Sequence, residues 1–505
     1  MMFVNRVMLC LCITLLITQT SSNAVILKDG ENVRFSQNSV DSKPILDQFL
    51  SINSTDNTNV ISMDASEYGM VACAEFSGTI NNNLLSSSTI QSNGSSDILL
   101  FGWNESTGYW FTTISGIAKE FCWDVKWGEM NEVIVAGYFS NQLTIGNYDL
   151  ESNGFTDGFV ARYNYLSQNW TGANSIGSVG DKNDVFRSVV PLSNGSYYVL
   201  VTSNGNIDLN SSLDYESSIF NSPDCSNSGS AHVNDLCTFG MYLNSNFTVT
   251  GFSSKIDSEI NIASVLGKDV TEVGSSGEII IIGRFSGEVN AYNQNGTIFT
   301  YSNGEEATWE SSGLNDIFVA RYDPNGNFVF ISTFGSIATD EATSISPTSG
   351  GFVILGTVTS TLEDPAMVQE GQETWQAPPG EGGKDNLLLR ISTTGKILNG
   401  YTFGTEEDDS VGEVGVDNEG VVYATGYLGS TIPDPQDLNS TLGMTDVRSA
   451  YLAKIDFSGG NLSSIASLEV SNGSINSDAR TNSVAVFDKN NVWVGGRMSP
   501  GAQAN

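Results

Sequence analysis

Apolar and polar residues alternate in short runs along almost the whole chain, and the runs recur in groups of four. The clearest group is Asp316–Gly356, where the runs FVARYD, FVFISTFG, ATSIS and FVILG are separated by Gly, Asn and acidic turn residues. Alternation with a period of two predicts short, half-buried β-strands. The same order of runs returns at Asp157–Ser203 and Asp385–Gly426. Each group therefore predicts one small antiparallel sheet of four strands.

The repetition of this group indicates the fold class. A four-stranded sheet of this size has two unpaired edges and cannot bury both faces alone, so copies should stack side by side and close into a ring. We predict an all-β fold, a single β-propeller of four-stranded antiparallel blades. Units that start near residues 25, 97, 157, 235, 316, 385 and 447 give seven blades. Six blades are the alternative, because the incomplete first unit could instead complete the last one.

Four segments carry a resemblance to a known repeat family. DGFVARY, DIFVARY, FGSIATDEA and VVYATGYL resemble the repeats of the SBBP family of secreted β-propeller proteins, over roughly residues 50–500. The resemblance implies a propeller fold. It implies no catalytic residues, because the family has none in common that could be transferred to this chain.

The first 24 residues have the three parts of a secretory signal peptide. Arg6 precedes the apolar run Val7–Ile17, and polar residues follow up to Ser-Asn-Ala at Ala24. We predict cleavage after Ala24 and a propeller that occupies residues 25–505. The apolar run is short for a membrane span, and no later run is long enough. These features predict a secreted or cell-surface protein without a transmembrane span.

The charge balance narrows the class of partner. The chain carries 57 acidic and 21 basic residues, for a formal net charge of -36. Such a surface repels nucleic acid and anionic lipid, so neither is an expected partner.

Cysteines and glycosylation motifs fit an extracellular protein. Four cysteines remain after the leader, and we predict a disulfide between Cys225 and Cys237, which bracket one polar insertion. Cys73 and Cys122 form either a bond between adjacent units or two separate buried thiols. Eleven Asn-Xaa-Ser/Thr triplets occur, about as many as chance supplies in a chain so rich in Asn, Ser and Thr. Five of these triplets are predicted to lie in turns or loops and are the candidate glycosylation sites: Asn104, Asn194, Asn210, Asn295 and Asn439.

The units differ in length mainly between the fourth run and the next first run. In an antiparallel order, the junctions after the second and fourth runs share one face of the ring, which we call the insertion-bearing face. The turns after the first and third runs are short and form the compact face. Loops that vary on a repeated scaffold often determine binding specificity. The alternative is that insertions simply occur where the fold tolerates them.

Few residues indicate a catalytic or metal-binding role. His232 is the only histidine, which excludes a metal site built from several imidazoles, and we predict no catalytic residue and no cofactor. Carboxylates recur in the turns of the insertion-bearing face, where an Asp side chain can accept backbone N–H bonds and set the next strand. Calcium is the one metal that these oxygen ligands suit. The candidate ligands are Asp181, Asp184, Asp340, Asp408 and Asp409.

Two tryptophans are the candidate binding residues. Trp309 and Trp375 lie within polar, acidic insertions, where an exposed indole could stack on a sugar or anchor a protein. We therefore predict a non-enzymatic interaction or structural module that binds an extracellular protein or glycan through its insertion-bearing face. The alternative is a secreted hydrolase or lyase that acts on a polysaccharide with acidic residues around the central channel. The small number of basic residues and the single histidine favour the first hypothesis.

Overall fold

The structure is a computed structural model, and it describes residues 23–29, 46–80, 89–129, 131–208, 225, 236–258, 263–359, 383–434, 437–442, 448–456, 461–468, 479–489 and 491–498. Trp375, Asn210 and His232 lie outside these ranges, as do residues 1–22 of the predicted leader. The described residues form no helix that could cross a membrane.

All regular structure in these ranges consists of β-strands. The first nineteen strands in chain order are β1 (Asn23–Asp29), β2 (Leu46–Asn53), β3 (Thr58–Ser66), β4 (Gly69–Phe76), β5 (Thr79–Ile80), β6 (Ile90–Gln91), β7 (Asp97–Asn104), β8 (Gly108–Gly116), β9 (Glu120–Trp127), β10 (Glu132–Phe139), β11 (Gln142–Ile145), β12 (Tyr148–Glu151), β13 (Asp157–Asn164), β14 (Asn169–Ser178), β15 (Asp184–Pro191), β16 (Tyr197–Ser203), β17 (Ile207–Asp208), β18 (Cys237–Leu243) and β19 (Val249–Phe252). The others are β20 (Ile256–Asp257), β21 (Ser264–Glu272), β22 (Ile279–Ser286), β23 (Glu288–Ala291), β24 (Thr308–Glu310), β25 (Asp316–Tyr322), β26 (Phe328–Phe334), β27 (Glu341–Thr348), β28 (Gly351–Val358), β29 (Asp385–Ser392), β30 (Ile397–Phe403), β31 (Ser410–Val416), β32 (Val422–Leu428), β33 (Ile432–Asp434), β34 (Asp437–Leu442), β35 (Ser449–Asp456), β36 (Asn461–Leu468), β37 (Ala479–Asp488) and β38 (Asn491–Met498).

The strands form antiparallel sheets that surround a central channel. From the channel outward, the strand orders are β3-β4-β7-β8, β9-β10-β13-β14, β15-β16-β18-β19, β21-β22-β25-β26, β27-β28-β29-β30, β31-β32-β35-β36 and β37-β38-β1-β2. The first strand of each sheet contacts the first strands of both neighbouring sheets, and these contacts return to their starting point. A single all-β propeller, as predicted, is therefore the fold.

The prediction of seven four-stranded blades, with six as the alternative, is wrong. Five blades are complete among the residues whose side chains the structure describes, namely those that begin with β3, β9, β15, β21 and β27. In the sheets that begin with β31 and β37, the structure describes only the backbone for some strands or parts of strands. Three of the five complete blades also have more than four strands, because β11-β12, β17 and β20-β23-β24 extend them.

The repeat unit of the sequence is shifted by two strands from the blade of the structure. The unit Asp316–Gly356 contributes β25 and β26 as the outer strands of one blade, and β27 and β28 as the inner strands of the next. The two ends of the chain meet in one sheet, where β1 pairs with β38 in a register that sets Ala24 opposite Arg497. The first partial unit is therefore divided: β1 and β2 complete the last sheet, and β3 and β4 begin another.

Insertions between units add strands to the outer edges of blades. The hairpin β11-β12 pairs with β8, and β23-β24 continues the sheet beyond β20. In the second case the insertion extends along the blade to the compact face, where Gln294 Nε2 donates to the carbonyl oxygen of Asn325 at 2.6 Å. The expectation that every long insertion lies on one face is wrong for this segment. Pairing along an outer edge also covers N–H and C=O groups that could otherwise recruit another chain.

The apolar core lies between neighbouring sheets. Ile279, Ile280, Ile281 and Ile282 follow one another in β22, and all four are fully buried. Neighbouring blades cover both faces of this sheet, so the strand is continuously apolar and does not alternate. Burial of each such side chain contributes about 1.5–3 kcal/mol relative to exposure.

Two disulfides are present among the described cysteines. The predicted bond between Cys225 and Cys237 is confirmed. Cys73 in β4 and Cys122 in β9 are also bonded, which settles the alternative that the sequence left open. The second bond joins two adjacent blades directly.

Candidate binding site in the central channel

Every innermost strand has an irregular register close to the same level of the channel. At each irregularity, one or two residues of the inner strand have no paired residue on the partner strand, which is a β-bulge or a related break. Bulges change the direction in which a side chain points and are frequent beside functional sites. The extra residues all line one cavity, and they are Ile61, Trp123, Arg187, Lys268, Thr343, Gly412, Glu413 and Asn482.

The cavity has a volume of about 250 Å³. The innermost strands begin at the insertion-bearing face, and Trp123 and Arg187 are each the fourth residue of their strand. The cavity therefore occupies the half of the channel closest to that face. We call this half the channel mouth.

Basic side chains from separate blades gather at the channel mouth. Glu341 forms ion pairs with Lys268 and with Arg284, whose Nη1 lies 3.0 Å from Oε2 of the carboxylate. The guanidinium of Arg187 lies over the ring of Trp123, 4.5 Å from its centroid. Arg187 Nε and Trp123 Nε1 are buried donors without a hydrogen-bond partner in the described part of the chain. Three cations thus surround a single carboxylate, and two donors remain available.

The pKa values at the mouth reflect burial. Desolvation lowers the pKa of Arg187 to about 10, so the guanidinium is still charged at neutral pH. Burial also lowers the pKa of Lys268, and Glu341 opposes this effect. Burial alone would raise the pKa of Glu341, but Lys268 and Arg284 outweigh it and hold that pKa below its usual value.

Serine and aspartate side chains alternate around the channel just below the mouth. Ser62 Oγ donates to Asp124 Oδ1 at 2.9 Å, and Ser344 Oγ lies 3.2 Å from Asp269 Oδ2. Between the two aspartates, Ser188 Oγ lies 2.8 Å from Asp124 Oδ2 and 2.7 Å from Asp269 Oδ1. Ser188 has only one hydroxyl proton, which can point to only one of the two aspartates at a time. Burial raises the pKa of Asp269, and the positive charge of Lys126 opposes this effect.

Lys126 provides positive charge for this acidic layer. Its Nζ lies 3.1 Å from Asp124 Oδ1. Burial alone would lower the pKa of Lys126, but the carboxylates of Asp124, Glu413, Asp64 and Asp269 raise it well above its usual value. The layer therefore combines several carboxyl groups with one permanent cation.

Glu413 differs from the two aspartates of this layer. Asp124 and Asp269 both accept several hydrogen bonds from neighbouring strands, whereas Glu413 Oε2 accepts one from Ser483 Oγ. Burial raises the pKa of Glu413 to about 8, although Lys126 acts in the opposite direction. At neutral pH this side chain is therefore mostly a neutral carboxylic acid that can both donate and accept a hydrogen bond.

Three of the five candidate calcium ligands bind the backbone of their own turns. Asp184, Asp340 and Asp409 are buried, and their carboxylates accept the backbone N–H groups of Ser178, Ser336 and Thr405 at 2.6, 2.6 and 2.7 Å. Asp181 and Asp408 are exposed. Among the described side chains, no three His, Cys, Asp or Glu residues are grouped closely enough to hold a metal ion. Calcium binding by these residues stays a prediction.

The other candidates from the sequence occupy varied environments. Trp309 lies half-buried in β24, and its ring packs against Phe328 at a centroid distance of 6.0 Å. Its role in binding stays a prediction, and Trp375 lies outside the described residues. Among the candidate glycosylation sites, Asn194 and Asn295 are exposed, Asn104 is buried, Asn439 is described by its backbone alone and Asn210 is not described.

A second set of carboxyl groups lies where one blade meets the next. Asp97 accepts the backbone N–H of Asn93 at 2.8 Å, and Glu120 of the following blade lies near Asp97. Burial, the hydrogen bond that a protonated Glu120 can donate to Asp97 and the negative charge of Asp97 raise the pKa of Glu120 to about 8. Asp157 raises the pKa of Asp184 in the same way, although burial is the largest cause there.

We expect the proton on Glu120 to make folding pH-dependent. The folded protein retains this proton up to about pH 8, whereas the unfolded chain releases it near its ordinary pKa of 4.5. The stabilisation is therefore fully present below pH 4.5 and is lost as the pH rises towards 8. Glu120→Gln should melt at a higher temperature than the parent at pH 8, and the difference should vanish below pH 4.5. Melting curves across this range test the prediction, with Glu419→Gln as an exposed control. Parallel curves for the Glu120 variant and the parent would contradict it.

The cations of the channel mouth were missed by the sequence analysis. Arg187 and Lys268 belong to the third run of their units, at the position that Trp123 and Thr343 occupy in other units. An alignment of the third runs would have shown this shared position. In the sequence the basic residues are few, and the predicted binding residues lie in the long insertions.

Comparisons with known proteins give only distant structural likenesses. No protein-family model and no curated protein matches the chain. The solved structures that are similar include the Dos1 propeller, with 11% identity, a TM-score of 0.33 and coverage of 87% of this chain and 92% of that one. Hydrazine synthase of Kuenenia stuttgartiensis has 10% identity and a TM-score of 0.30, with coverage of 72% and 91%. The hemagglutinin-neuraminidase of parainfluenza virus 5 has 9% identity and a TM-score of 0.33, with coverage of 87% and 88%. The resemblance to SBBP repeats therefore has no matching family model, whereas the β-propeller fold stands.

Proposed function

We propose that the chain is a non-enzymatic binding module of the extracellular space, whose partner docks on the insertion-bearing face over the channel mouth. One observation carries the proposal: a protein with a net charge of -36 places Arg187 and Lys268 in the wall of one cavity, with Arg284 paired to the same carboxylate as Lys268. Buried cations cost solvation energy unless they are paired, and among the described residues Glu341 forms ion pairs with Lys268 and Arg284 but not with Arg187. A partner with acceptor groups would offset that cost.

The rim of the channel mouth also has the character of a binding surface. Phe121 packs against Trp123 and Tyr138, with ring centroids 4.7 and 5.6 Å apart. The exposed Lys119 lies over two of these rings. Aromatic residues beside a cation are enriched where proteins bind partners. Both disulfides are compatible with an oxidising, extracellular location.

Screening of the full chain against arrays of extracellular glycans and proteins tests this proposal. We expect Lys119→Glu, at the rim, to weaken binding of any partner found by about tenfold, the effect of one lost contact with a charged group. Lys489→Glu makes the same charge change in the turn between β37 and β38 on the compact face, and it should leave binding intact. Equal binding by both variants and the parent would show that the partner does not dock over the channel mouth.

A polysaccharide hydrolase or lyase is the second candidate, and Glu413 favours it. A carboxylic acid with a pKa of about 8 is suited to donate a proton at neutral pH, and Asp124 and Asp269 line the same cavity. Such an enzyme should release reducing ends or unsaturated sugars from an acidic or neutral polysaccharide, and Glu413→Gln should abolish the release. Absence of product from a broad panel of polysaccharides would rule against it.

A further inference from the structure

We propose that the channel mouth binds one hexuronic acid ring, with the sugar carboxylate held by Arg187 and Lys268 and a ring hydroxyl held by Glu413. The inference rests on the proposed function in one respect, since it names the chemical class of ligand that the same mouth accepts. Unpartnered donors, the balance of charge and the size of the cavity support this ligand class.

Two buried donors need an acceptor that the described side chains do not supply. The guanidinium of Arg187 lies over the ring of Trp123 at the cavity wall, and neither Arg187 Nε nor Trp123 Nε1 has a hydrogen-bond partner among the described residues. A buried donor that stays unpaired costs about 1–3 kcal/mol. A carboxylate is the acceptor that matches an arginine best, because its two oxygens fit the planar fork of the guanidinium.

The charges of the mouth select an anion with a single negative group. Arg187, Lys268 and Arg284 outnumber Glu341, so the upper part of the cavity is positive. Asp124 and Asp269 line the deeper part, where a second anionic group would be repelled. The rest of the ligand must therefore be neutral.

Two other residues of the cavity favour a hydroxylated ligand. Glu413 and Thr343 line it together with the cations, and a neutral Glu413 can donate to one sugar hydroxyl or accept from another. An Asp or Glu side chain of a peptide has a carboxylate but no hydroxyl that could hydrogen-bond to Glu413 and Thr343. The volume of about 250 Å³ lies below the ~300–1,000 Å³ of sites for drug-sized ligands, which suits one sugar ring.

Calorimetric titration of the full chain with defined probes tests the inference. Glucuronic acid should bind, whereas glucuronamide and glucose, which lack the carboxylate, should bind about 10- to 100-fold more weakly, the effect of losing charged hydrogen bonds. Arg187→Gln should reduce glucuronate affinity to the same extent, and Lys489→Gln should leave it unchanged. Equal affinity for glucuronate and glucuronamide, or full affinity in Arg187→Gln, would overturn the proposal.

A second variant and two comparisons of ligands complete this test. If Arg187→Gln does not fold, Trp123→Phe removes the indole N–H while it retains an aromatic ring, and it should weaken glucuronate binding by about tenfold. A Glu-rich peptide that competes with glucuronate at equal affinity would assign the site to acidic peptides and overturn the sugar proposal. Tighter binding of an oligosaccharide that ends in glucuronate would support a glycan chain as the source, and tighter binding of the free acid would support a soluble sugar acid.

The outcomes separate this inference from the proposed function. A partner that needs Lys119 but does not compete with glucuronate would leave the function standing and overturn the inference. Glucuronate binding without any partner on the insertion-bearing face would support the inference and contradict the function.

Discussion

Replacement of Lys126 with Met is expected to destabilise the folded protein by about 3–5 kcal/mol at neutral pH, the usual cost of leaving buried charges without their partner. Lys126 is the cation closest to Asp124, and it also interacts with Asp64, Asp269 and Glu413. Met retains most of the apolar stem of Lys, so the loss would come from charge and not from an unfilled volume. The unfolding midpoint in urea at pH 7 is the measurement.

Acid should rescue the Lys126 variant. Burial raises the pKa values of Asp64 and Asp269, so these groups take up protons at a higher pH than they would in water. The deficit of the variant in free energy of unfolding should therefore be smaller at pH 5 than at pH 7, since neutral carboxyl groups no longer need a cation. Lys489→Met is the matched control, because Lys489 pairs with Glu419 at an exposed site and should show no change. A deficit that is the same at both pH values would indicate lost packing and not lost charge compensation.

Removal of the disulfide between Cys73 and Cys122 is expected to cost about 4 kcal/mol of stability by the chain-entropy relation, for a sequence separation of 49. The same relation gives about 3 kcal/mol for the bond between Cys225 and Cys237, which are separated by 12 residues. Paired Cys→Ala changes at each site, compared by thermal and urea unfolding, should reproduce this order. Cys73 and Cys122 are both fully buried, so alanine adds no unpaired polar group there.

The two bonds should also differ in what they hold together. The bond between Cys73 and Cys122 joins β4 to β9 across two blades, and its loss should lower the cooperativity of the whole unfolding transition. Loss of the bond between Cys225 and Cys237 should increase hydrogen exchange mainly near that insertion. A larger loss of stability at Cys225 and Cys237 would show that the first bond does not connect the blades energetically.

The sequence was sufficient to predict strands and a propeller, but not how the strands group into blades. Local alternation predicts each strand, and a short turn predicts each hairpin, as at β27 and β28. The strand that pairs next with β28 is β29, which follows a long insertion, whereas the short connection after β26 leads to the neighbouring blade. The length of a connection is therefore a poor guide to which strands share a blade, because strand pairing depends on packing between distant segments.

The candidate site depends even more on distant segments. Trp123, Arg187 and Lys268 come from three different sheets and meet only because the innermost strands form a closed circuit. In the sequence each is one polar or aromatic residue in an otherwise ordinary strand. Trp309 looked more promising because its insertion is polar, yet β24 carries it against Phe328. Ring closure and edge pairing, which determine both outcomes, leave no local signal.

The pairing of β1 with β38 determines when this protein can finish folding during its synthesis. β1 is among the first strands to leave the ribosome, and its partner β38 is the last of the described strands to follow. Domains generally fold as units while the chain emerges, at about 5–20 residues per second. Here β1 must wait until β38 has been made, although the blades from β3 onward can assemble earlier. A translational pause or premature stop ahead of β38 would therefore leave β1 without this partner, and the product would be an open ring and not a smaller closed one.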